Sequence, residues 1–421
     1  MSRRPAWALL ALGALLACSE PDVIGPRARP DSGLQDDAFG GGHGGDPAPF
    51  SKQFVPPADP GPAGVLFTAS GEALAQAGYP FPPPEPNSPA FVDGWEVSFD
   101  QVLITLGRVT LSDRPDVSAG DQAQTGAVVA EVAGPWAIDL HKDDPSYLDG
   151  KGGGGERAVP FAALTTQNKN GSAPFATDGT RYALGFDLEA ATLAAYNVNL
   201  GPQAIARYQS MVARGCSVFY SGTASFKGSS CHETEPPFDA LPRAVRFELC
   251  FVSPTSYVNA QNPDNDPAAA FPNEEHQRGI AFKSNTRVVA QATLHTDHPF
   301  WESVAHDAPL HFDMLAARAE SVDGGVPTVT LDAMRGVDFQ QFRDRAGRAL
   351  PFRSCTPSTY VAPTSGAMHF DPGSVPQQPP SGDPALGLRD ALDFMTYNQS
   401  TQGHLNADGL AFVSRNYASP R

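Results

Sequence analysis

The stretch GWEVSFDQVLITLGRVTLS, residues 94–112, carries the strongest secondary-structure signal in this chain. It is rich in β-branched and aromatic residues, which favour strands. Trp95, Val97 and Phe99 alternate with polar residues, and the stretch then becomes apolar on both faces. Alternation indicates a half-buried strand, and a continuous apolar run indicates a fully buried one. The stretch therefore predicts a strand pair, or one long strand that enters a buried sheet.

Similar segments recur along the chain, separated by Gly, Pro, Asn and Asp. They lie at residues 127–140, 181–188, 217–226, 243–252, 279–283, 286–295 and 326–334. Many short strands between turn residues are typical of an antiparallel sandwich or barrel. We therefore predict a mainly β fold, an antiparallel β-sandwich or barrel-like domain with long loops and a few short helices. The helices are predicted at residues 201–215, 299–305 and 309–320, the first between a Gly-Pro start and a glycine end.

The N-terminus reads MSRRPAWALLALGALLAC, with two arginines, an apolar run and small residues. This layout is that of a secretory signal peptide, and the run is shorter than the roughly 20 residues that span a bilayer. Its end, Leu15-Leu16-Ala17-Cys18, resembles the lipobox of bacterial lipoproteins. The resemblance implies that the signal peptide covers residues 1–17 and that Cys18 becomes a lipidated N-terminus. Ser19 after it resembles the signal for outer-membrane sorting, which implies a lipid-anchored protein of the cell envelope.

The segment after Cys18 is full of Pro, Gly and Asp as far as residue 62. Such a composition buries too little apolar surface to offset the entropy of ordering. We predict a flexible tether at 18–62 and a β-rich domain at 63–421, and we leave open a division into two sub-domains near residues 200–215.

Composition excludes one class of partner. The chain has a formal net charge of -17, whereas nucleic-acid binding needs a positive surface. We predict no nucleic-acid partner, and the sequence leaves a protein or glycan partner open. The membrane is the one predicted contact, through the lipid.

Four cysteines remain once Cys18 is set aside: Cys216, Cys231, Cys250 and Cys355. An even number in an oxidising compartment indicates two disulfides, for which three pairings exist. The preferred pairing is Cys216–Cys231, which closes a hairpin-sized loop, with Cys250–Cys355. The sequence has no CxxC, which argues against a thioredoxin-like or thiolate zinc site.

The richest concentration of metal-binding side chains lies in QATLHTDHPFWESVAHDAPLHFD, residues 291–313. Imidazole and carboxylate groups are ligands of zinc and copper(II). His295 lies at the end of a predicted strand, and a turn before Pro299 lets His298 join it. In a helix starting at Pro299, His298 and His306 would lie about 12 Å apart along the axis, too far to share an ion.

The sequence therefore predicts a zinc or copper site centred on two histidines of a turn and completed from other parts of the chain. The predicted ligands are His295, His298, Glu302, His311 and His404. Further histidines considered as completing ligands are His232, His276 and His369, the last beside the thioether of Met368, which would favour copper. The alternative is a histidine-rich turn whose imidazoles cap backbone groups or pair with neighbouring carboxylates.

A calcium site is a further candidate, in the loop DNDPAAAFPNEE. Asp264, Asp266 and Glu275 occupy positions 1, 3 and 12 of an EF-hand loop, but alanines replace a ligand and the glycine of the turn. The segment is not an EF-hand, and only a looser surface calcium site remains open.

Three functions compete at this point. The first is a lipid-anchored envelope protein whose β-rich domain binds copper or zinc without catalysis. The second is a non-catalytic surface module for adhesion or for carbohydrate or protein binding. The third is a metal-dependent hydrolase, although neither HExxH nor GxSxG occurs.

Overall fold

The stretch at residues 94–112 forms one continuous strand, Trp95–Ser112, in a computed structural model of the protein. Its first half pairs antiparallel with Val218–Phe226, and its second half with both Val128–Asp139 and Arg181–Leu188. Register shifts between Phe99 and Gln101 and between Leu106 and Val109 mark irregularities along it. The second of the two sequence readings, one long strand entering a buried sheet, is therefore confirmed.

The structure describes residues 50–142, 158–228, 231, 238–265, 271–272, 274–304, 308–321, 324–356, 367–371 and 388–417. The predicted signal peptide, Cys18 and the first part of the tether lie outside these ranges. No helix within them is long and apolar enough to cross a membrane.

Strands make up most of the regular structure in the described ranges. They are β1 Val65–Ser70, β2 Trp95–Ser112, β3 Val128–Asp139, β4 Val159–Leu164, β5 Thr166–Gln167, β6 Ala173–Pro174, β7 Arg181–Leu188, β8 Tyr196–Asn197, β9 Val218–Phe226, β10 Ala244–Phe251, β11 Thr255–Val258, β12 Ile280–Ala281, β13 Val288–Leu294, β14 Thr328–Thr330, β15 Gly403–Leu405, β16 Gly409–Leu410 and β17 Phe412–Arg415.

The larger sheet has ten strands. Its main path runs β14-β10-β9-β2-β7-β11-β17, with β12 beside β7, β3 beside β2 and β8 beside β3. The smaller sheet has five strands in the order β16-β15-β13-β1-β4. Most pairs are antiparallel, but β1 and β13 run parallel, from Val65 opposite Val288 to Ser70 opposite Thr293. The prediction of a mainly β, sandwich-like fold is confirmed.

One hydrophobic core joins residues of the two sheets. The ring of Phe161 on β4 lies 4.9 Å from the ring of Trp136 on β3 and 6.5 Å from that of Phe67 on β1. Trp95 and Trp136 are both buried, as their positions in strand-like segments predict. Burial of such large rings is the main source of stability in a domain of this kind.

Four short α-helices accompany the sheets in the described part of the chain. They are α1 Glu72–Ala77, α2 Pro202–Arg214, α3 Asp313–Ala316 and α4 Ala391–Ser400, with 3-10 turns at Phe238–Ala240, His298–Phe300 and Leu331–Met334. Helix α2 confirms the prediction at 201–215, with proline in its first turn and Gly215 in the left-handed conformation at its end. The helices predicted at 299–305 and 309–320 are wrong in extent. Trp301 forms a β-bridge with Leu310, which ends the first after the single turn His298–Phe300 and keeps the second from starting before Asp313.

Helix α4 is absent from the sequence prediction, and its burial explains why. All ten of its residues are buried, so the helix has no exposed polar face. An amphipathic period, the main sequence signal of a helix, therefore cannot arise. The helix begins at Asp390, whose side chain accepts a hydrogen bond from the backbone N–H of Asp393 at 3.0 Å.

The disulfides join Cys216 to Cys250 and Cys231 to Cys355, so the predicted pairing of Cys216 with Cys231 and of Cys250 with Cys355 is wrong. Spacing along the chain suggested a small loop, but β9 and β10 pair with Cys250 opposite Phe219, which brings Cys250 beside the end of α2. The second bridge packs against Gly94, where a Cβ atom would lie 2.9 Å from the sulfur of Cys355.

The last part of the predicted tether lies against the β-rich domain. The ring of Phe50 lies 5.4 Å from that of Tyr208 on α2, and the backbone N–H of Ser51 donates to the carbonyl of Leu193 at 2.9 Å. The chain from Asp46 onwards forms one unit in its internal contacts. Experiments on this protein should therefore keep residues 50–62.

Candidate metal centre

Two of the predicted ligands are brought together by one strand pair. Strand β15 runs antiparallel to β13 with His404 opposite Thr293. His295 follows the end of β13, where its backbone N–H donates to the carbonyl of Gln402 at 3.1 Å. Two histidines that lie far apart in the sequence therefore meet at one edge of the smaller sheet.

A turn brings the third histidine to the same place. Strand β13 ends at Leu294, and His298 begins a single 3-10 turn with Pro299 as its second residue. A continuous strand would have directed His295 and His298 to opposite faces. The turn removes that obstacle, as the sequence predicts.

The three imidazoles form a tight, buried group, which we call the histidine cluster: His295, His298 and His404. One ring nitrogen from each lies within 4.8 Å of the other two. Ligands of a tetrahedral zinc ion bind at about 2.0–2.1 Å, which places neighbouring donor atoms about 3.3 Å apart. His298 and His404 are each 3% exposed, and the side chain of His295 is 13% exposed. Small side-chain movements suffice for the three nitrogens to bind one ion.

Hydrogen bonds fix which nitrogen of His298 would bind an ion. The hydroxyl of Thr401 donates its single proton to the carbonyl of Asn398 at 2.7 Å. Its oxygen lies 2.7 Å from Nδ1 of His298 and must therefore accept a proton from that nitrogen. The lone pair of the neutral ring is then on Nε2. Such an outer partner orients a metal-binding histidine and sets its tautomer.

His295 is oriented in the same way by two acceptors. Its Nε2 lies 3.2 Å from the carbonyl oxygen of Ala407 and 3.2 Å from Oε1 of Glu72. Nε2 must carry a proton to satisfy them, so Nδ1 holds the lone pair of the neutral ring. Glu72 is held in the left-handed region at φ 60°, which is uncommon outside glycine, and the hydroxyl of Ser70 accepts a hydrogen bond from its N–H.

Charges around the cluster favour a cation. Burial opposes the charged form of His295, but the hydrogen bond to Glu72 and the charges of Glu72 and Asp297 outweigh it and raise its pKa to about 9. Asp297 is buried as well, and its burial raises the pKa of its carboxyl group. Carboxylates that stabilise an imidazolium also stabilise a bound divalent ion, because both carry positive charge.

Trp301 covers one face of the cluster. Its ring is stacked on that of His298, with the ring centres 3.7 Å apart and the planes 27° apart, and its Nε1 donates to Oδ2 of Asp297 at 3.2 Å. Trp301 is buried, at 5% exposure. Its contact with His298 makes its fluorescence a local reporter of events at the cluster.

Comparisons with models of known protein families, with curated proteins and with solved structures find no match to this chain. The functional reading rests on the chain's own residues. The histidine cluster is its strongest element.

Two of the predicted ligands lie apart from the cluster and contact each other. Because residue 301 is extended, Glu302 does not follow His298 on a helical face, and its N–H donates to the carbonyl of Pro309 at 3.0 Å. Oε2 of Glu302 lies 3.0 Å from Nε2 of His311. Glu302 and His311 thus form a pair of their own, and His404 supplies the third donor of the cluster.

The other histidines considered are placed elsewhere or lie outside the described residues. His369 is exposed, and its Nδ1 contacts the carbonyl of Ala367 at 3.0 Å. Nε2 of His276 lies 3.9 Å from Oε1 of Glu275. His232 and His306 are outside the described ranges. Since His369 is not part of the cluster, the neighbouring Met368, which packs in the core, gives no preference for copper.

The calcium candidate does not assemble from its described members. Oδ2 of Asp264 accepts a hydrogen bond from Asn406 at 2.8 Å. Glu275 has 74% of its side chain exposed to solvent, and Asp266 is outside the described residues. In the part of the chain that the structure describes, the histidine cluster is the one group of three or more potential ligands.

A second buried polar group contacts Glu302 through His311. We call it the Asp93 cluster: Asp93, His311, Asp313 and Arg353. Oδ2 of Asp93 accepts hydrogen bonds from the backbone N–H groups of Phe312 and Asp313, both at 2.7 Å. The same oxygen lies 3.8 Å from Nδ1 of His311. Oδ2 of Asp313 accepts a hydrogen bond from Nε of Arg353 at 2.6 Å. No local pattern singled out Asp93, because these backbone partners lie 219 and 220 residues away.

This arrangement predicts a pH dependence of folding. Burial and the neighbouring charge of Asp313 raise the pKa of Asp93 to about 7. Between about pH 4 and pH 7 the folded protein keeps a proton that the unfolded chain has lost, so this group's contribution to stability is complete below pH 4 and is lost by pH 7. We expect Asp93→Asn to flatten that decrease, which is on the order of a few kcal/mol.

Urea unfolding at pH 5 and pH 8 measures the effect. The amide oxygen introduced by Asp93→Asn can still accept both backbone hydrogen bonds, so the variant changes the charge and keeps the contacts. Asp100→Asn, at an exposed position, serves as the control and should keep the wild-type pH dependence. An unchanged slope in Asp93→Asn would contradict the prediction.

The sequence missed the outer partners of the cluster, Glu72 and Thr401. Glu72 is far from His295 along the chain, and it arrives there because β1 pairs in parallel with β13. Thr401 belongs to the end of the unpredicted helix α4. Neither carries a local pattern that could have indicated its role.

Proposed function

We propose that this protein binds a divalent transition metal, zinc or copper(II), through His295, His298 and His404. The observation that carries the proposal is the convergence of three buried ring nitrogens within 4.8 Å of one another. Imidazole nitrogen is a preferred donor for both metals. Glu72 and Thr401 support the proposal, because they orient two of the rings with their lone pairs away from the outer hydrogen bonds.

The alternative of a structural histidine turn explains less of the arrangement. Imidazoles that only cap backbone groups have no need to converge. In this cluster the rings of His295 and His404 lie 4.3 Å apart, and that of His298 lies 5.5 Å and 5.8 Å from theirs. Burying three polar rings side by side has a desolvation cost, and a shared ion offsets it.

Metal titration of the demetallated full-length chain tests the proposal. We expect zinc and copper(II) each to bind with one ion per chain and a Kd below micromolar, with copper(II) the tighter, as nitrogen sites generally order these ions. Copper(II) should also quench the fluorescence of Trp301, which stacks on His298. A Trp301→Phe variant should keep the affinity and lose that part of the quenching.

Variants then identify the ligands. Loss of an outer partner typically costs about 10–100-fold in affinity, so His298→Ala or His404→Ala should cost at least about 100-fold. His369→Ala removes an exposed histidine outside the cluster and should leave the affinity unchanged. If His311→Ala weakened binding while His404→Ala did not, the proposed ligand set would be wrong. If neither ion bound, the non-catalytic binding or adhesion module would be the better reading.

We propose further that the protein is a lipid-anchored component of the cell envelope, sorted to the outer membrane. The support is the sequence Leu15–Cys18 after an apolar run, together with two disulfides, which persist in oxidising compartments. A bacterial host expressing the full chain should incorporate an alkyne-labelled fatty acid into it, and Cys18→Ser should abolish the labelling. Equal labelling of both chains would contradict lipidation at Cys18.

A further inference from the structure

The histidine cluster supplies three donors, one fewer than a tetrahedral ion needs. Among the His, Cys, Asp and Glu residues of the described ranges, only His295, His298 and His404 bring donor atoms together. Structural zinc sites normally have four protein ligands, whereas sites with three keep the fourth position for water or a substrate. The fourth ligand of the ion must therefore come from outside these three residues, provided that the metal centre proposed above exists.

The neighbouring carboxylates are held by other partners. Oδ2 of Asp297 accepts the indole N–H of Trp301 at 3.2 Å. Glu72 contacts Nε2 of His295, the nitrogen on the opposite side of the ring from the Nδ1 lone pair. Glu302 contacts His311. Each of these three carboxylates is placed to orient a ring or to balance charge, and among the described residues no carboxylate joins the three converging nitrogens.

Solvent can approach the cluster from one side. His298 and His404 are almost fully buried, but the side chain of His295 is 13% exposed and that of Glu72 beside it is 21% exposed. A ligand from solution can therefore approach along the edge formed by His295 and Glu72, while Trp301 covers the face of His298.

Charge indicates the kind of ligand. Three neutral imidazoles bring no negative charge into direct contact with a bound divalent ion, and Glu72 and Asp297 offset its charge only from outside the ligand shell. In a largely buried site the effective dielectric constant is lower than in water, which strengthens the attraction of that charge for an anion. The approach is narrow, because two of the three rings and Trp301 are buried, and this favours a small monodentate ligand.

We infer that the centre is an open three-histidine site whose fourth position takes water and exchanges it for a small monodentate anion. Such a centre differs from a closed structural site, because the ion remains accessible to an external ligand. The anion class is represented by azide or thiocyanate, which bind through one atom.

Cobalt(II) substitution of the demetallated full-length chain tests this inference. Cobalt(II) in a four-coordinate site of this kind absorbs visible light, and its bands respond to a change of ligand. We expect azide, added against sodium perchlorate at equal ionic strength, to shift these bands saturably. Bands that stay unchanged up to high azide would overturn the open site and leave metal binding intact, whereas failure of cobalt, zinc and copper(II) to bind would overturn both proposals.

Asp297→Asn is the matched control variant, since Asp297 lies between two ligands in the sequence and is the nearest rival for the fourth position. If the site is open, azide should shift the bands of both proteins, and it should bind the variant more tightly because one negative charge beside the ion is gone. If only the variant responded, Asp297 would be the fourth ligand and the site would be closed in the native protein.

Discussion

Replacing Cys231 and Cys355 together by alanine is expected to lower the free energy of unfolding by about 5 kcal/mol. This disulfide spans 124 residues, and a cross-link that closes a longer loop removes more conformational entropy from the unfolded chain. The bridge also ties the segment after β9 to the segment that carries Arg353, two residues before Cys355. Its loss should affect the whole domain and not one loop.

The other disulfide provides the comparison. Cys216–Cys250 spans 34 residues, and the same reasoning gives about 4 kcal/mol for its removal. Both double variants replace two sulfur atoms by hydrogen, so the losses of packing are similar and the difference of about 1 kcal/mol reports loop length. Urea unfolding of both variants under non-reducing conditions measures it. A smaller loss for the 231–355 pair than for the 216–250 pair would contradict the expectation.

Removing Arg353 is expected to destabilise the fold by about 3–5 kcal/mol, the usual effect of breaking a buried ion pair from one side. Arg353 and Asp313 are 7% and 1% exposed. The guanidinium lies over the rings of Phe226 and Phe238 at 4.3 Å and 4.2 Å. Arg353→Met keeps much of the volume and leaves the carboxylate of Asp313 buried beside Asp93 without its countercharge.

Two further variants separate charge from packing. Asp313→Asn in the Arg353→Met background removes the uncompensated charge and keeps an acceptor for the indole N–H of Trp95, so it should recover part of the lost stability. Arg335→Met breaks an exposed pair with Asp332 and should change stability by less than about 1 kcal/mol. Equal losses for Arg353→Met and Arg335→Met in chemical denaturation would show that burial of the pair is not important.

The sequence predicted what depends on local patterns. The long strand at 94–112 and helix α2 follow from side-chain periodicity and from proline and glycine at the ends. The turn between His295 and His298 follows from the conformational restriction before Pro299. These features are decided by neighbours along the chain, so the sequence displays them directly.

The features that the sequence missed depend on distant contacts. The disulfide pairing follows from which strands pair, and helix α4 is hidden because every residue in it is buried. Glu302 was placed near His298 on a helix that ends early because Trp301 pairs with Leu310. His404 was among the predicted ligands, but only the pairing of β15 with β13 brings it to the cluster.

The parallel pairing of β1 with β13 has a consequence for folding kinetics. It joins Val65 to Val288, and contacts between such distant residues form slowly because a long loop must close first. Glu72, which follows β1, reaches His295 only after this pairing exists. The cluster therefore gains its outer carboxylate only after this long-range pairing, and the full metal affinity should return during refolding no earlier than β1 joins β13.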